Sequence, residues 1–457
     1  MCNKETKSTK NNFTDETILK LFTVQKKEVE ISYTGEQVSS DGGALLLKEI
    51  DNQINLISEI CSCIEDERDP RYVKHGLKEL LTQRILQIAC GYEDANDCDS
   101  LKDDQIFKLC AEKLPQSAAS LASQPTMSRL ENSIRRSVLY RIAEVLANNF
   151  IKSYAEEPSI IIIDCDDTDD IAYGQQEMIN YNDYYGDYCF MPLHIYEGMS
   201  GKLITTILKP GRRSKGVNVF AILERLIQHI RKSWKNTRIL LRGDSHFCSP
   251  EFMNWKKEQK NVNFITGLTG NKVLNELSQI TKDSAERSYK KNNAPVKMYH
   301  TFSYKANTWD EEQRVIVKVE VNEKGTNVRY VVTDIRDYRT KQLYETCYCQ
   351  RGSMELRIKD HKTYLKSDRT SCHKFEANQF RVFLHSAAYV LIHTLQKEVL
   401  KNTEYFNATM KTIQLKILKV AAYVKEMKTK IKIELSRFFP EKDLHVNCFK
   451  MFNCLRC

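Results

Sequence analysis

The chain has 457 residues, enough for two or three domains around one large core. Its hydrophobic fraction of 41% is ordinary for a globular protein, and its net charge of +9 favours a polyanionic partner only weakly. The sequence has no apolar run of about 18 residues, no secretory signal and many scattered cysteines, so we expect reduced thiols, a cytoplasmic location and no membrane segment.

The first part of the chain, residues 1–157, predicts a mainly helical region. Apolar residues recur at helical spacing in three segments, 44–50, 74–91 and 103–114. A further helix is predicted just after Pro125, with Thr126 as its N-cap. The polar turn before this helix fits either a DNA-contacting helix-turn-helix or an ordinary helical bundle, and the sequence leaves both open.

An α/β region begins at residue 158. Residues 159–170 read SIIIIDCDDTDD, and the isoleucine run predicts a strand covered on both faces. Burial of the negatively charged aspartates that follow is energetically unfavourable unless cations neutralise their charge. A second apolar strand, 238–243, is followed directly by Asp244. Ligands of such sheets bind beyond the carboxyl ends of the strands, so we expect the site there.

The later part of the chain divides into three segments. Residues 271–327 are polar and contain an alternating stretch, which predicts a β-rich insertion between two parts of the core, 158–270 and 328–402. A long apolar helix is predicted from residue 375 onward. Residues 403–457 are basic, and they fit added strands, phosphate contacts or a solvated amphipathic edge.

The stretch YCQRGSMELRIKDHK predicts a helix from about residue 350. At about 100° per residue, one stripe about 60° wide contains a phenol, two cations and a carboxylate: Tyr348, Arg351, Glu355 and Lys362. A helix face that only packs against the core would contain aliphatic residues. This face instead places a carboxylate beside cations that can bind phosphates. The alternative is a solvated face with an Arg351–Glu355 ion pair.

Three acids are the candidate catalytic residues: Asp166, Asp244 and Glu355. Carboxylates without a paired His or Cys suit a hard, oxygen-preferring ion such as Mg²⁺ or Mn²⁺. Two such ions activate a water or a 3′-hydroxyl and stabilise the leaving oxygen of a phosphodiester. Asp164 and Asp170 are alternatives to Asp166.

The spacing Tyr-x2-Arg-x3-Glu-x6-Lys resembles the YREK signature of DDE transposases from bacterial insertion sequences. The stretches SSDGG, GYEDANDCD, LASQPTMSRLEN, RGDSHF and DRTSCHKFEANQFR are similar to the group 1 DDE transposases. This resemblance implies an α/β fold with an RNase H-like mixed sheet flanked by helices. It also implies an N-terminal DNA-binding region and a β-rich insertion before the helix of the catalytic Glu.

The resemblance further implies that Asp166, Asp244 and Glu355 are the catalytic, metal-binding residues for two Mg²⁺ or Mn²⁺ ions. Asp166 is preferred because the family places its first Asp two residues before a Thr, here Thr168. The activity implied is cutting of the element ends and joining of their 3′ ends to target DNA. A nuclease without strand transfer and a non-catalytic DNA-binding descendant are the alternatives.

DNA contacts are implied for Tyr348, Arg351 and Lys362. A basic turn adds four further candidates, which are either phosphate contacts or ordinary surface cations: Lys209, Arg212, Arg213 and Lys215. The implied partners are double-stranded DNA, as terminal inverted repeats and target, and a second copy of the chain in a homodimer. We expect the protein to associate with a bacterial nucleoid. His194 and His246 receive no role.

Overall fold

The structure is a computed structural model that describes residues 18–211 and 219–454. An eight-stranded mixed sheet lies at its centre. From one edge to the other, its strands are β12 (Val296–Tyr304), β13 (Gln313–Asn322), β14 (Gly325–Thr333), β11 (Val262–Leu268), β10 (Arg238–Gly243), β4 (Ile160–Asp167), β8 (Leu193–Glu197) and β9 (Leu203–Ile207).

Five neighbouring strands of this sheet have the RNase H-like arrangement. β4 pairs antiparallel with β8, and β8 pairs antiparallel with β9. On the other side of β4, β10 and then β11 run parallel to it. The spatial order is therefore 3-2-1-4-5 in the sequence order of these strands. The expected α/β fold with an RNase H-like mixed sheet is confirmed.

Helices surround the sheet, and seven of those in the described residues precede it in the chain. The N-terminal helices are α1 (Ala44–Ile54), α2 (Leu56–Ser62), α3 (Leu77–Ala89), α4 (Asp97–Leu101), α5 (Gln105–Cys110), α6 (Gln124–Ser133) and α7 (Arg136–Lys152). The remaining helices are α8 (Val219–Ser233), α9 (Pro250–Lys257), α10 (Lys272–Asn292), α11 (Thr340–Gln342), α12 (Gly352–Lys359), α13 (Phe375–Thr394), α14 (Met410–Ile413) and α15 (Lys442–Cys454).

Helix α13 joins the N-terminal helices to the sheet. It packs against α3, α6 and α7 on one side and against β9 on the other. Every residue from 377 to 393 is buried, which is the pattern of a helix covered on all sides. The long apolar helix predicted from residue 375 is therefore present, and it fixes the helical region to the edge of the sheet formed by β9.

The prediction for residues 271–327 was only partly correct. The segment begins with the 21-residue helix α10, which the sequence analysis did not predict. Its two strands, β12 and β13, do not form a separate unit, because β13 pairs with β14 and β14 pairs with β11. The insertion thus widens the main sheet. The predicted N-cap was also wrong, since Ser123 precedes α6 and Thr126 lies inside it.

Three small sheets complete the described part of the chain. One pairs β1 (Leu19–Val24) with β2 (Lys27–Ile31). Another joins β3 (Val38–Ser39) to two strands of the basic C-terminal segment, β15 (Ala422–Glu426) and β16 (Ile431–Leu435). The third contains β5 (Asp170–Ile171), β6 (Asn180–Asn182) and β7 (Asp187–Phe190). Among the described residues, no helix is long and apolar enough to cross a bilayer.

Candidate functional site

Asp166 and Asp244 lie together at the carboxyl ends of the two central parallel strands. Arg242 on β10 is in register with Asp164 on β4, so Asp244 follows β10 at the level of Asp166. Both aspartates line one cavity of about 470 Å³. Ile161, Ile163 and the apolar residues of β10 are buried in the core, and this burial holds the two carboxyl groups at a fixed edge of the sheet.

The two aspartates have different protonation behaviour. Burial raises the pKa of Asp166 to about 6, the nearby Arg351 opposes this shift, and the charges of Asp244 and Asp167 add to it. Burial also acts on Asp244, but hydrogen bonds from His246 hold the pKa of Asp244 below its usual value. The His246 ring nitrogen Nδ1 lies 2.6 Å from Asp244 Oδ2, and its backbone N–H donates to Oδ1 at 2.8 Å.

Two predicted DNA-binding cations contact the aspartate-rich end of β4. Arg351 Nη1 lies 3.4 Å from Asp166 Oδ2. Lys362 Nζ donates to Thr168 Oγ1 at 3.2 Å and lies 3.0 Å from Asp169 Oδ1. Arg351 therefore contacts a candidate metal ligand and does not form the alternative ion pair with Glu355. Both cations reach the end of β4 from a segment far along the chain.

The segment that contains Glu355 is not one regular helix. α12 is preceded by a π-helical turn, Leu343–Tyr348, and a 3₁₀ turn, and it is followed by a second π-helical turn, Asp360–Tyr364. These turns change the angular step per residue, so the single narrow stripe expected from a uniform helix does not hold along its whole length.

Glu355 itself is exposed on α12 and does not line the cavity of the two aspartates. Within the described ranges, no three His, Cys, Asp or Glu side chains stand in a metal-holding arrangement. The structure thus brings two of the three candidate acids together and leaves the third on the neighbouring helical segment.

Tyr348 lies at the other end of the same segment, half-buried against Tyr344 with their ring centroids 5.7 Å apart. A Cβ placed on Gly267 of β11 would come within 2.9 Å of the Tyr348 hydroxyl, so this glycine makes room for the phenol. Burial raises the pKa of Tyr348. The side chain therefore sits between the sheet and the helical segment, close to the end of β11.

The two alternative aspartates have other environments. Asp164 forms a buried two-point ion pair with Arg242, with N–O distances of 2.5 and 2.6 Å. Asp170 is buried, its carboxyl oxygens have no hydrogen-bond partner, and burial raises its pKa well above the usual range. Neither of them lines the cavity of Asp166 and Asp244. This placement favours Asp166 among the three.

The basic turn is described only at its start. Lys209 is buried, and its Nζ lies 2.6 Å from Asp167 Oδ1, so its charge neutralises the carboxylate beside Asp166. The other three predicted cations of this turn lie outside the described residues: Arg212, Arg213 and Lys215.

Sequence reasoning missed the tyrosines that line the same cavity. Tyr181, Tyr184 and Tyr185 come from β6 and from the turn between β6 and β7. The signal was present in the stretch NYNDYYGDY, where tyrosines alternate with turn-forming Asn, Asp and Gly. Tyrosines beside turn residues are too common at protein surfaces to mark a site by themselves.

Comparison with known families and structures gives three findings. The model of a family described as the transposase DDE domain, group 1, matches residues 21–457. No curated protein sequence matches significantly. Among solved structures, the chain is similar to the piggyBac transposase in its synaptic complex with hairpin DNA, with a TM-score of 0.45, 10% identity, and coverage of 83% of this chain and 80% of that one.

Proposed function

The chain belongs to the group 1 DDE transposases, and on this premise we propose that it cuts the ends of an insertion sequence and joins the 3′ ends to target DNA. The observation that carries the proposal is the shared cavity of Asp166 and Asp244 at the ends of two parallel strands. Carboxylates at this edge of an α/β sheet are where a ligand is expected.

The donor set fits a hard divalent cation such as Mg²⁺ or Mn²⁺. Two carboxylates face one cavity, and burial raises the pKa of Asp166, so the site gains from an added positive charge. In the proposal, two ions are held by Asp166, Asp244 and Glu355. When bound, such ions activate a water or 3′-hydroxyl and stabilise the leaving oxygen of the phosphodiester. Glu355 is exposed on α12 and does not line the cavity. In the proposal, the helical segment moves when DNA binds, so that the Glu355 carboxylate joins those of Asp166 and Asp244.

The basic side chains around the site have a separate task in the proposal. Arg351 and Lys362 hold phosphates of the element end, and Tyr348 positions that end. Three cations that follow β9 in the sequence bind the DNA backbone: Arg212, Arg213 and Lys215. The DNA contact predicted for Lys209 is not proposed again, because Lys209 is buried and paired with Asp167. Contacts of this kind are independent of sequence and weaken with salt. The helical region, residues 1–157, recognises the terminal inverted repeats. Two copies of the chain form a homodimer that binds two element ends.

The test uses the purified full-length protein, a labelled duplex that carries the terminal repeat found beside the gene, and Mg²⁺. Cleavage followed by joining to a target duplex supports a transposase. Cleavage alone would make the protein a nuclease, and binding alone would make it a non-catalytic DNA-binding protein. Asp166→Asn and Asp244→Asn are expected to retain binding and to lose both reactions. The exposed Lys359→Ala on α12 is the matched control.

A further inference from the structure

A two-stranded hairpin near the end of the chain carries a group of exposed lysines. β15 and β16 pair antiparallel, from Ala422 opposite Leu435 to Glu426 opposite Ile431. We call this hairpin, residues 422–435, the lysine ribbon. Its four lysines lie on the two strands and on the turn between them, and all are exposed: Lys425, Lys428, Lys430 and Lys432.

The two faces of the lysine ribbon are chemically different. Side chains alternate across a strand, so Val424 and its opposite residue Ile433 share one face, while Lys425 and Lys432 share the other. Val424 is fully buried and Ile433 packs against the main core, so the first face lies on the protein. The face with the lysines therefore points to solvent.

The outer face has more positive charge than its own chain neutralises. Lys425 and Lys432 are directly opposite each other, and like charges in such positions destabilise a sheet. Glu434 offsets part of this repulsion, because a hydrogen bond from Lys432 and the charges of Lys432 and Lys425 lower the pKa of Glu434. Among the residues that the structure describes, Lys425, Lys428 and Lys430 form no ion pair.

Protection of an open sheet edge does not account for all of these lysines. Lysines on an edge strand prevent pairing with another chain, and β16 is such a strand. Lys425, however, lies on β15, where the neighbouring edge is already closed. The Gln116 side-chain amide donates to the Val424 carbonyl at 3.2 Å and accepts from the Glu426 N–H at 3.2 Å. The charge of Lys425 therefore has another purpose.

The lysine ribbon is fixed to the N-terminal helical region. The Glu426 carboxylate accepts hydrogen bonds from the backbone N–H groups of Gln116 and Ser117, at 2.9 and 3.0 Å, and from the Ser117 hydroxyl at 2.5 Å. β15 also packs against α5 and pairs with β3. The ribbon is thus a firm support for its lysines, and it adjoins the region to which the proposed function assigns recognition of the terminal repeats.

We propose that the lysine ribbon binds the phosphate backbone of the element-end duplex, beside the part that the helical region recognises. The inference rests on the proposed function, because that function places the terminal repeat on residues 1–157. Ammonium groups bind phosphates as point charges, and bound phosphates would relieve the repulsion between Lys425 and Lys432. Phosphates have no sequence information, so the ribbon should strengthen the binding of any duplex equally.

The experiment measures how the DNA affinity of the full chain depends on salt. Fluorescence anisotropy gives the association constant for the terminal-repeat duplex over a range of KCl concentrations. Lys425→Gln/Lys428→Gln/Lys430→Gln/Lys432→Gln should reduce the slope of log K against log [KCl] by about 3 to 4, as expected for four lost phosphate contacts. An unrelated duplex of equal length should show the same change. Arginine at the same four positions should retain the wild-type slope.

The matched control removes the same charge from four exposed positions on α10 and on the turn between β13 and β14: Lys272→Gln/Lys290→Gln/Lys291→Gln/Lys324→Gln. It should retain the wild-type slope, and both glutamine variants should retain the wild-type unfolding midpoint, because the substituted side chains are exposed.

Three results would overturn the ribbon inference: a wild-type slope for the ribbon variant, an equal change for the control, or a loss confined to the terminal repeat. Cleavage of the element end by the wild-type protein would leave the proposed function intact in each case. Failure of the wild-type protein to bind either duplex would overturn the proposed function, and the inference would fall with it.

Discussion

Arg351 Nη1 lies 3.4 Å from Asp166 Oδ2, and both side chains are mostly buried, at 16% and 15% exposure. A cation from the helical segment thus contacts the carboxylate that the proposed mechanism assigns to a metal ion. The Arg351 guanidinium and a bound metal ion would compete for the same carboxylate of Asp166, so each weakens the binding of the other. This contact therefore links the positions of Arg351, Asp166 and the ion.

The first prediction concerns that competition. Arg351→Gln should bind Mn²⁺ in the absence of DNA about tenfold more tightly than the wild type, since the removed charge is worth at least about one pKa unit of interaction. The same variant should bind the DNA end more weakly, because a phosphate contact is lost. Electron paramagnetic resonance of free Mn²⁺ measures the first effect. Lys359→Ala, which removes an exposed charge from the same helix, should leave Mn²⁺ binding unchanged.

The second prediction tests the third acid. Glu355→Gln should bind the terminal-repeat duplex as the wild type does and cut it at least about 100-fold more slowly, because loss of a ligand should cost no less than loss of a group that supports a ligand. Gel-based cleavage with Mg²⁺ measures the rate. Since Glu355 is exposed, the substitution should leave the unfolding midpoint unchanged. A variant that cuts at the wild-type rate would remove Glu355 from the site.

The sequence was informative where a strand is covered on both faces. The isoleucine run before Asp166 and the apolar run before Asp244 identify β4 and β10 because central strands have few solvent-facing positions and so little polar alternation. It was less informative about α10, in which only Leu274, Ser278 and Ala285 are buried, so the apolar pattern is weak.

The π-helical turns around α12 could not be predicted either. They arise when backbone hydrogen bonds shift by one residue, and no side-chain pattern records that shift. The turns contain Tyr348 and Lys362, so the stripe drawn from a uniform helix does not hold along its whole length. The pairing of Arg351 with Asp166 depends on tertiary packing between residues 185 positions apart.

The third prediction concerns Asp164, whose buried ion pair with Arg242 also fixes the helical segment through a hydrogen bond from Arg242 Nη1 to the carbonyl of Cys347, at 2.6 Å. Asp164→Asn leaves a buried guanidinium unpaired, so the free energy of unfolding should fall by about 3 to 5 kcal/mol. Urea unfolding measures this change.

The double variant Asp164→Leu/Arg242→Met should recover most of the lost stability, because it buries no unpaired charge. Lys432→Ala, which breaks an exposed ion pair with Glu434, should leave the unfolding midpoint nearly unchanged. A double variant less stable than Asp164→Asn would contradict the argument that the unpaired charge causes the loss.

Four histidines are buried beneath the site, in and around α13: His194, His361, His385 and His393. Burial lowers all four pKa values, to about 3 for His361 and His393, and nearby cations lower those of His194, His385 and His393 further. The two ring nitrogens of His361 contact Ser367 Oγ at 2.8 Å and Ser386 Oγ at 3.1 Å, which satisfies a neutral ring. The folded protein therefore keeps these rings uncharged at a pH where the unfolded chain protonates them.

The last prediction follows from this difference. A histidine whose pKa is lowered on folding contributes stability above about pH 6.5, and this contribution is lost as the pH falls toward the folded pKa, by about 1.4 kcal/mol per pH unit. Buried carboxyls with raised pKa values, such as Asp170, act in the opposite direction, so the wild-type slope alone decides nothing. His361→Gln should lower the slope of unfolding free energy against pH, between pH 4 and 6, by about 1.4 kcal/mol per unit. The exposed His300→Gln is the control, and equal slopes for both variants would contradict a neutral buried His361.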